Sequence, residues 1–488
     1  MGMGPTSVSL SVASPSPNLT LERTDRWRGL REYAPLRWLL PLALLHGLLY
    51  LVIVPPWQHY DEPTHFEYAW LIVVHNHIPT MDESDPQMRH NALESMDRFR
   101  FYPPGQHLDL TDPNPTEIGM NQRYHPALYY MLVALPLRLV ANLPIDVQLY
   151  TARTLSLILY TLIIAIAWRV TVVVVPDEPL IQLVVPLMLL FTASFADMMT
   201  AVNNDVLVNF AAAALLLGCV LLVCGGMHPT SLVLATLALG VGLITKRTAV
   251  ILLVPYVLAL LWAWHRTPLR LWMVAGVLVI GTLMSAFAGL EIVQAANGTR
   301  ILALRPWLNQ LDSSYLRLSL DSWVRSVSDL EQTNLLYQLL LTISFTSFWV
   351  RFGWGNIIIG SWADWVMVGI CVACAVGLIV QGWRSRSQMS LSQQRCIWLF
   401  LIAVVLGCLS LIARLHPLPS PGYIPYIPRG RYIFTVMLPV IWLIVLGWQG
   451  LFPNRWKHVS PIIILGIWGI IDLIVWSNTL IAYFYGVG

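Results

Sequence analysis

The sequence predicts an all-α polytopic membrane protein, and three observations predict it. Of its 488 residues, 57% are hydrophobic and only 11% charged, with a mean hydropathy of +0.64; soluble domains carry about 25% charged residues. Runs of roughly 20 apolar residues, the length that crosses a bilayer core of ~30 Å as a helix, recur along almost the whole chain. These runs are continuous rather than alternating, which argues against a transmembrane barrel. The net charge of +3 is too small to suggest a nucleic-acid partner.

Residues 1–36 are polar and end in the Arg-rich stretch RTDRWRGLREYAPLR. A cleaved signal would place its charges first and a short apolar core next, so the expectation here is a disordered tail that stays cytoplasmic. Eleven apolar segments follow, at 38–54, 149–171, 180–197, 206–223, 230–245, 247–264, 269–290, 363–382, 396–414, 431–449 and 460–480. The positive-inside rule sets their orientation. With the N-terminus inside, Arg23, Arg26, Arg28, Arg31, Arg37, Arg266, Arg270, Arg384, Arg386, Arg395, Arg455 and Lys457 all fall on the cytoplasmic side.

Two further segments are too short or too amphipathic for spans. HPALYYMLVALPLRLV (125–140) and LLYQLLLTISFTSFWV (335–350) are read as helices lying in or dipping into the outer interface. Were both to cross, the count would be thirteen and the loops between them would change sides. The chain thus divides into the tail 1–36, a transmembrane core over 37–290 with an outer loop at 55–148, and an outer loop plus C-terminal helices over 291–488. All six cysteines lie in or beside apolar runs, so Cys371 and Cys374 of CVACAVGLIV read as small apolar residues rather than a redox or metal pair.

Almost all the informative polar residues sit at helix ends on one side. Transporters keep theirs near the bilayer midplane on broken helices, so the pattern favours chemistry at the outer face. The first outer loop opens with PPWQHYDEPTHFEYAW, where Asp61 and Glu62 precede Pro63 at a helix start. An acid pair there is an ordinary helix cap or a site, and the residues alone leave both open. In ASFADMMTAVNNDVLVNF, Asn203, Asn204 and Asp205 either cap the next helix or supply a second acid, which could orient an acceptor or complete a divalent-cation site with Asp61.

In LITKRTAVILLVP, Lys246 and Arg247 interrupt an apolar stretch. Bare cations at that depth are costly and suit either phosphate binding or snorkelling to headgroups. Arg123, Tyr124 and His125 close the first loop. Trp349, Arg351 and Trp354 lie in SFWVRFGWGN, and Arg429, Arg431 and Tyr432 in YIPRGRYIFTVMLP. Arginines interleaved with aromatics can hold phosphate and stack on sugars, or form a headgroup-binding belt. For Trp349 and Trp354 the belt is the expectation. Histidines 59, 65, 75 and 77 show no zinc spacing, and Asp472 lies inside the last apolar run without an evident partner.

These segments, in this order, resemble the GT-C class of membrane glycosyltransferases, closest to the bacterial relatives of protein mannosyltransferases and aminoarabinose lipid A transferases. YDEPTHFEYAW resembles the acidic motif of that family's first outer loop, RYHPALYYMLVALPLRL the segment that closes it, TAVNNDVLVNF its second acidic site and GLITKRTAVILLVP its Lys-containing turn. The likeness runs from about residue 40 to 265 and is patchy beyond. HPAL stands where the family has an HPPL-type motif, and SDPQMRHNALESMDRFRFYPPGQHLDLTDPNPTEIG lengthens the loop.

The resemblance implies a GT-C fold and an inverting glycosyltransferase of the cytoplasmic membrane with its site at the outer face. It would move a sugar from a polyprenyl-phosphate donor to an acceptor hydroxyl. Asp61 would be the base, Glu62 its neighbour, Asp205 the second acid and Lys246 a donor-phosphate contact. Arg247, Arg123, His125, Arg429, Arg431 and Tyr432 are the further substrate-binding candidates. No metal ligand set is expected, although a divalent cation could assist. The partners expected are the lipid-linked donor, membrane lipids and a glycan, lipid or protein acceptor. Two rivals stand beside this reading: a surface-polysaccharide polymerase or ligase using a diphosphate-linked donor, and a non-enzymatic flippase of lipid-linked sugars.

Overall fold

The computed structural model describes residues 34–102, 122–123, 125–264, 276, 281, 338–385, 389–413 and 427–486. The expected tail up to residue 33, most of the apolar segment 269–290 and most of the later outer loops lie outside them. Among the described residues the regular structure is helical apart from one two-stranded antiparallel hairpin, β1 (Arg351–Phe352) with β2 (Ile357–Ile358).

Helices α1 (Leu36–Ile53), α2 (Glu62–His75), α3 (Pro86–Arg98) and α4 (Leu128–Val140) come first. The long α5 (Ile145–Val174) follows, then α6 (Pro179–Leu190) and the short α7 (Ala193–Met199). Next are α8 (Asn204–Gly225), α9 (Pro229–Thr245) and α10 (Leu253–Trp264). The C-terminal part holds α11 (Ser361–Ser385), α12 (Leu391–Ala413), α13 (Met437–Leu451) and α14 (Ser460–Ile474). Proline at the first turn starts α2, α3, α6, α9 and α14, where its missing N–H costs nothing.

By length and composition, seven of these helical segments can cross a membrane, or eight if α6 and α7, bent by 63°, form one broken span. Leu128–Val140 and Pro229–Thr245 are shorter apolar helices. Every segment expected as a span within the described residues is helical. The expected interfacial segment at 125–140 forms α4, and that at 335–350 includes the helix Thr346–Trp349.

Burial separates the centre of the bundle from its rim. The apolar windows of α8 and of Gly430–Leu451 are 83% buried, whereas that of Ser361–Arg384 is 28% buried. The rim helix exposes Trp365, Ile379 and Trp383, an apolar surface that lipid solvates and water does not. Glycines let α11 and α13 touch backbone to backbone: a Cβ at Gly377 would run into the Gly447 carbonyl, and one at Gly447 into the Cys374 carbonyl. Small residues serve this purpose where helices associate in lipid.

Inside the bundle, Asp472 of α14 finds the partners its sequence concealed. Its carboxylate pairs with His46 Nε2 (2.9 Å) and accepts from the Tyr50 hydroxyl (2.7 Å), both on α1. Tyr160 of α5 meets His46 Nδ1 at 3.1 Å. An intramembrane acid satisfied this way ties the last long helix to the first.

One end of the bundle collects the C-terminus of α1 and the N-termini of α5 and α8. The C-terminus of α9 and the Gly430–Val436 turn that leads into α13 lie there too.

Candidate active site

At that end the chain between α1 and α2 is fixed by one buried ion pair. Arg153, two turns into α5, uses all five of its N–H groups. Nε and Nη2 donate to the two Glu62 oxygens (2.8 and 2.6 Å). Nη1 donates to the Leu51 and Val54 carbonyls, and Nη2 also to that of Pro55. The Leu51 and Val54 carbonyls are groups of the kind a helix C-terminus leaves unpaired. Glu62 further accepts from the backbone N–H of Trp57 (3.1 Å) and of Val202 (3.2 Å). Both side chains are fully buried. Burial pushes the Glu62 carboxyl up, but Arg153, His59 and the hydrogen bonds outweigh it and hold the group below the ordinary carboxylate range.

Both Glu62 oxygens are thus taken up by Arg153 and backbone N–H groups. Glu62 holds the loop, and through Val202 it brings the turn before α8 against that loop. Asn203 repeats the link, its amide donating to the Tyr60 carbonyl (3.1 Å) and its backbone N–H to the Tyr129 hydroxyl (2.9 Å).

Asp61 occupies the N-cap position of α2 in a left-handed conformation (φ +53°) and makes no side-chain cap, so the cap alternative fails for it. Its Oδ2 instead accepts from Arg431 Nη2 at 2.8 Å. The Arg431 guanidinium lies 4.0 Å from the centre of the Tyr60 ring. Asp205 is likewise no cap: the Asn203 side chain does that work, accepting from the Asp205 backbone N–H. Asp205 Oδ1 pairs with Lys246 Nζ at 2.6 Å, the lysine being 10% exposed. The Tyr432 ring connects the pairs, with Lys246 Nζ 5.8 Å and Arg431 Cζ 5.5 Å from its centre.

The two pairs leave polar atoms unused. Arg431 Nε and Nη1, Asp205 Oδ2 and the Tyr60 hydroxyl are buried without a hydrogen-bond partner. Groups of this kind are costly to bury idle, and four of them around one spot mark a place for a polar ligand. Arg429 adjoins it, because a Cβ at Gly355 would meet both the Tyr60 hydroxyl and Arg429 Nη1. Gly355 (φ +85°) is thus required twice, by its backbone conformation and by space.

His65, one turn along α2 from Asp61, contacts the Tyr130 hydroxyl through Nδ1 (2.8 Å) and stacks on His125 at 6.3 Å. Burial first, then the charges of Lys246 and Arg431, hold its imidazole well below the usual value, so it is neutral at pH 7.

Of the expected site residues, Asp61, Asp205, Lys246, Arg431 and Tyr432 come together, with Arg429 and His125 at their edge. Arg123 belongs elsewhere: its Nη1 donates to the Thr80 carbonyl, and its charged neighbours are Glu67, Arg89 and Glu83. The Arg247 side chain lies outside what the structure describes. Trp349 and Trp354 are not a membrane belt. Trp349 packs on Trp468, and Trp354 donates to the Trp57 carbonyl beside Tyr60.

Sequence reasoning missed Arg153, Tyr60 and the buried contact between His59 Nδ1 and Asp197 Oδ1 (3.0 Å). For Arg153 and Asp197 the signal was a lone charge in an apolar run. Among the described residues no group of three or more His, Cys, Asp or Glu is placed to hold a metal ion.

The fold and this site define a polytopic helical membrane protein with two acid–cation pairs at one end of its bundle. No protein-family model matches the sequence, and no curated protein does either. Among solved structures, the Archaeoglobus fulgidus oligosaccharyltransferase tethered to an acceptor peptide is similar at 10% identity, over 90% of this chain and 55% of that one, with a TM-score of 0.45. The chain thus spans little more than half of that enzyme's length. ArnT from Cupriavidus metallidurans is similar at 12% identity in two states. Bound to undecaprenyl phosphate it matches over 87% of this chain and 78% of its own, TM-score 0.37; in the apo state over 88% and 78%, TM-score 0.36.

Proposed function

We propose that this protein is an inverting glycosyltransferase of the GT-C kind that moves a sugar from a polyprenyl-phosphate donor to an acceptor hydroxyl. The observation that carries the reading is the pairing of Asp61 with Arg431 and Asp205 with Lys246 around Tyr432, with unused donors and acceptors between them. Such a transfer needs one base and a seat for a departing anion.

In the proposed reaction Asp61 takes the proton of the acceptor O–H. The acceptor oxygen attacks the anomeric carbon from the face opposite the phosphate, and the bond from that carbon to the phosphate oxygen breaks. Its electron pair leaves with the phosphate, which needs no strong acid because it departs as a stable anion. Arg431 and Lys246 receive that anion, Arg as a fork and Lys as a point charge. The donor phosphate competes with Asp61 for Arg431 and so releases the carboxylate for the acceptor. Asp205 holds Lys246 in place, Tyr60 and Tyr432 offer faces to the sugar, and Glu62 with Arg153 positions Asp61 without touching substrate.

In this reading the site faces outward from the cytoplasmic membrane; Arg37, Arg384, Arg395, Arg455 and Lys457, at the far ends of their helices, support it. The test is reconstitution into vesicles with a radiolabelled sugar on polyprenyl phosphate. A new glycosidic bond with release of polyprenyl phosphate is expected, falling by about 10²–10⁴ in Asp61→Asn while donor binding persists. Label that crosses the bilayer without a new bond, and does so equally in Asp61→Asn, would return the protein to the flippase reading. Transfer only from a diphosphate-linked chain would make it a polymerase or ligase.

A further inference from the structure

The end of the bundle away from Asp61 holds an open-mouthed pocket of about 190 Å³ lined by the ends of α5, α6, α11, α12 and α13. Val174, Val445 and Leu446 give it an apolar floor. One hydrogen-bond donor in its wall is buried and unspent, and two further donor side chains line it. Gln381, 5% exposed, is one of these. The indole N–H of Trp442 is buried without a hydrogen-bond partner. Lys457 forms no ion pair within contact distance, and burial lowers its pKa against the opposing pull of Glu178. The other amides are engaged, Gln393 with the Val174 carbonyl and Gln449 with that of Lys457. The carboxylate in the wall, Glu178, has His458 3.9 Å away.

A buried idle indole N–H beside an amide and an ammonium calls for a ligand made of acceptors. We propose that this cavity is a second anion site, one that binds a phosphate monoester or diester. The volume is below the ~300–1,000 Å³ of sites for drug-sized molecules, so it admits a headgroup and not a whole glycolipid. Arg384 and Arg455, at the same end of the bundle, add to the attraction for an anion. The site is independent of the reaction proposed above, whose residues lie at the opposite end.

The test uses the full-length protein in detergent, with native mass spectrometry to count bound molecules and thermal unfolding to measure affinity. Three probes are compared: dioleoylphosphatidylglycerol, the phosphate-free glycolipid glucosyl-dioleoylglycerol, and inorganic phosphate. An Arg431→Gln background weakens anion binding at the other end. The phosphatidylglycerol should bind one copy at this site and the glycolipid none. Trp442→Phe and Lys457→Ala should each weaken binding about tenfold, the loss of one hydrogen bond to a charged group, while Lys457→Arg keeps it. Stabilisation by inorganic phosphate that Lys457→Ala abolishes would support the same anion site and identify its natural ligand as free phosphate. Equal binding of phosphatidylglycerol and glycolipid, or no change in any variant, would overturn the proposal.

Discussion

Glu62→Gln is the substitution that separates holding the loop from doing the chemistry. The carboxylate accepts four hydrogen bonds, two from Arg153 and one each from the Trp57 and Val202 backbone N–H groups. A glutamine carbonyl oxygen can keep at most half of these, and its NH₂ faces donors. Each buried donor left without an acceptor costs about 1–3 kcal/mol, so two cost about 2–6 kcal/mol. That agrees with the roughly 3–5 kcal/mol for breaking a buried ion pair. Equilibrium unfolding by SDS in mixed micelles measures the loss directly. The apolar pair Glu62→Leu with Arg153→Met should recover part of it, because no charge is then stranded. The pH dependence has a matching sign. A carboxyl held low in the folded protein stabilises above its unfolded pKa of about 4.3, and that contribution disappears as pH falls through the lower folded value. A Glu62→Gln protein as stable as the wild type but inactive would refute this account and make Glu62 a participant in the reaction.

Three other outcomes are expected. Lys246→Met leaves Asp205 buried without its cation, which should lower stability by about 3–5 kcal/mol and weaken donor binding; Lys246→Arg, read by donor affinity, should retain most of the latter. His65 is kept neutral in the folded protein, so protonation of the unfolded chain below about pH 6.5 draws the equilibrium toward unfolding. Its share of the slope, up to about 1.4 kcal/mol per pH unit, should vanish in His65→Phe when stabilities at pH 7 and pH 5 are compared. Gly377→Val forces side-chain atoms into the Gly447 carbonyl and should cost about 1–3 kcal/mol or more, seen as a lower SDS concentration at the unfolding midpoint.

The helical architecture was legible because apolar runs of bilayer length are a strong one-dimensional signal. The bend between Pro179–Leu190 and Ala193–Met199 was not, since a single apolar run at 180–197 hides where its backbone turns. Asp61, Asp205, Lys246 and Arg431 stood out as charges at helix ends. Their pairing did not, because Asp61 and Arg431 are 370 positions apart and nothing local records that contact. Arg153 and Asp472 show the same limit from inside the membrane. A charge in an apolar run announces a partner, and only folding shows that the partners are Glu62 and His46. Arg123 lies apart from the two pairs, with the Thr80 carbonyl, because nearness in sequence to the loop's closing segment does not fix its contacts.

The most direct measurement is an experimental structure of the protein with a polyprenyl monophosphate. The account predicts phosphate oxygens within hydrogen-bond distance of Arg431 and Lys246, Asp61 released from Arg431, and the lipid chain running between helices from that end of the bundle. A phosphate bound elsewhere, with the Asp61–Arg431 and Asp205–Lys246 pairs unchanged from 2.8 and 2.6 Å, would contradict it.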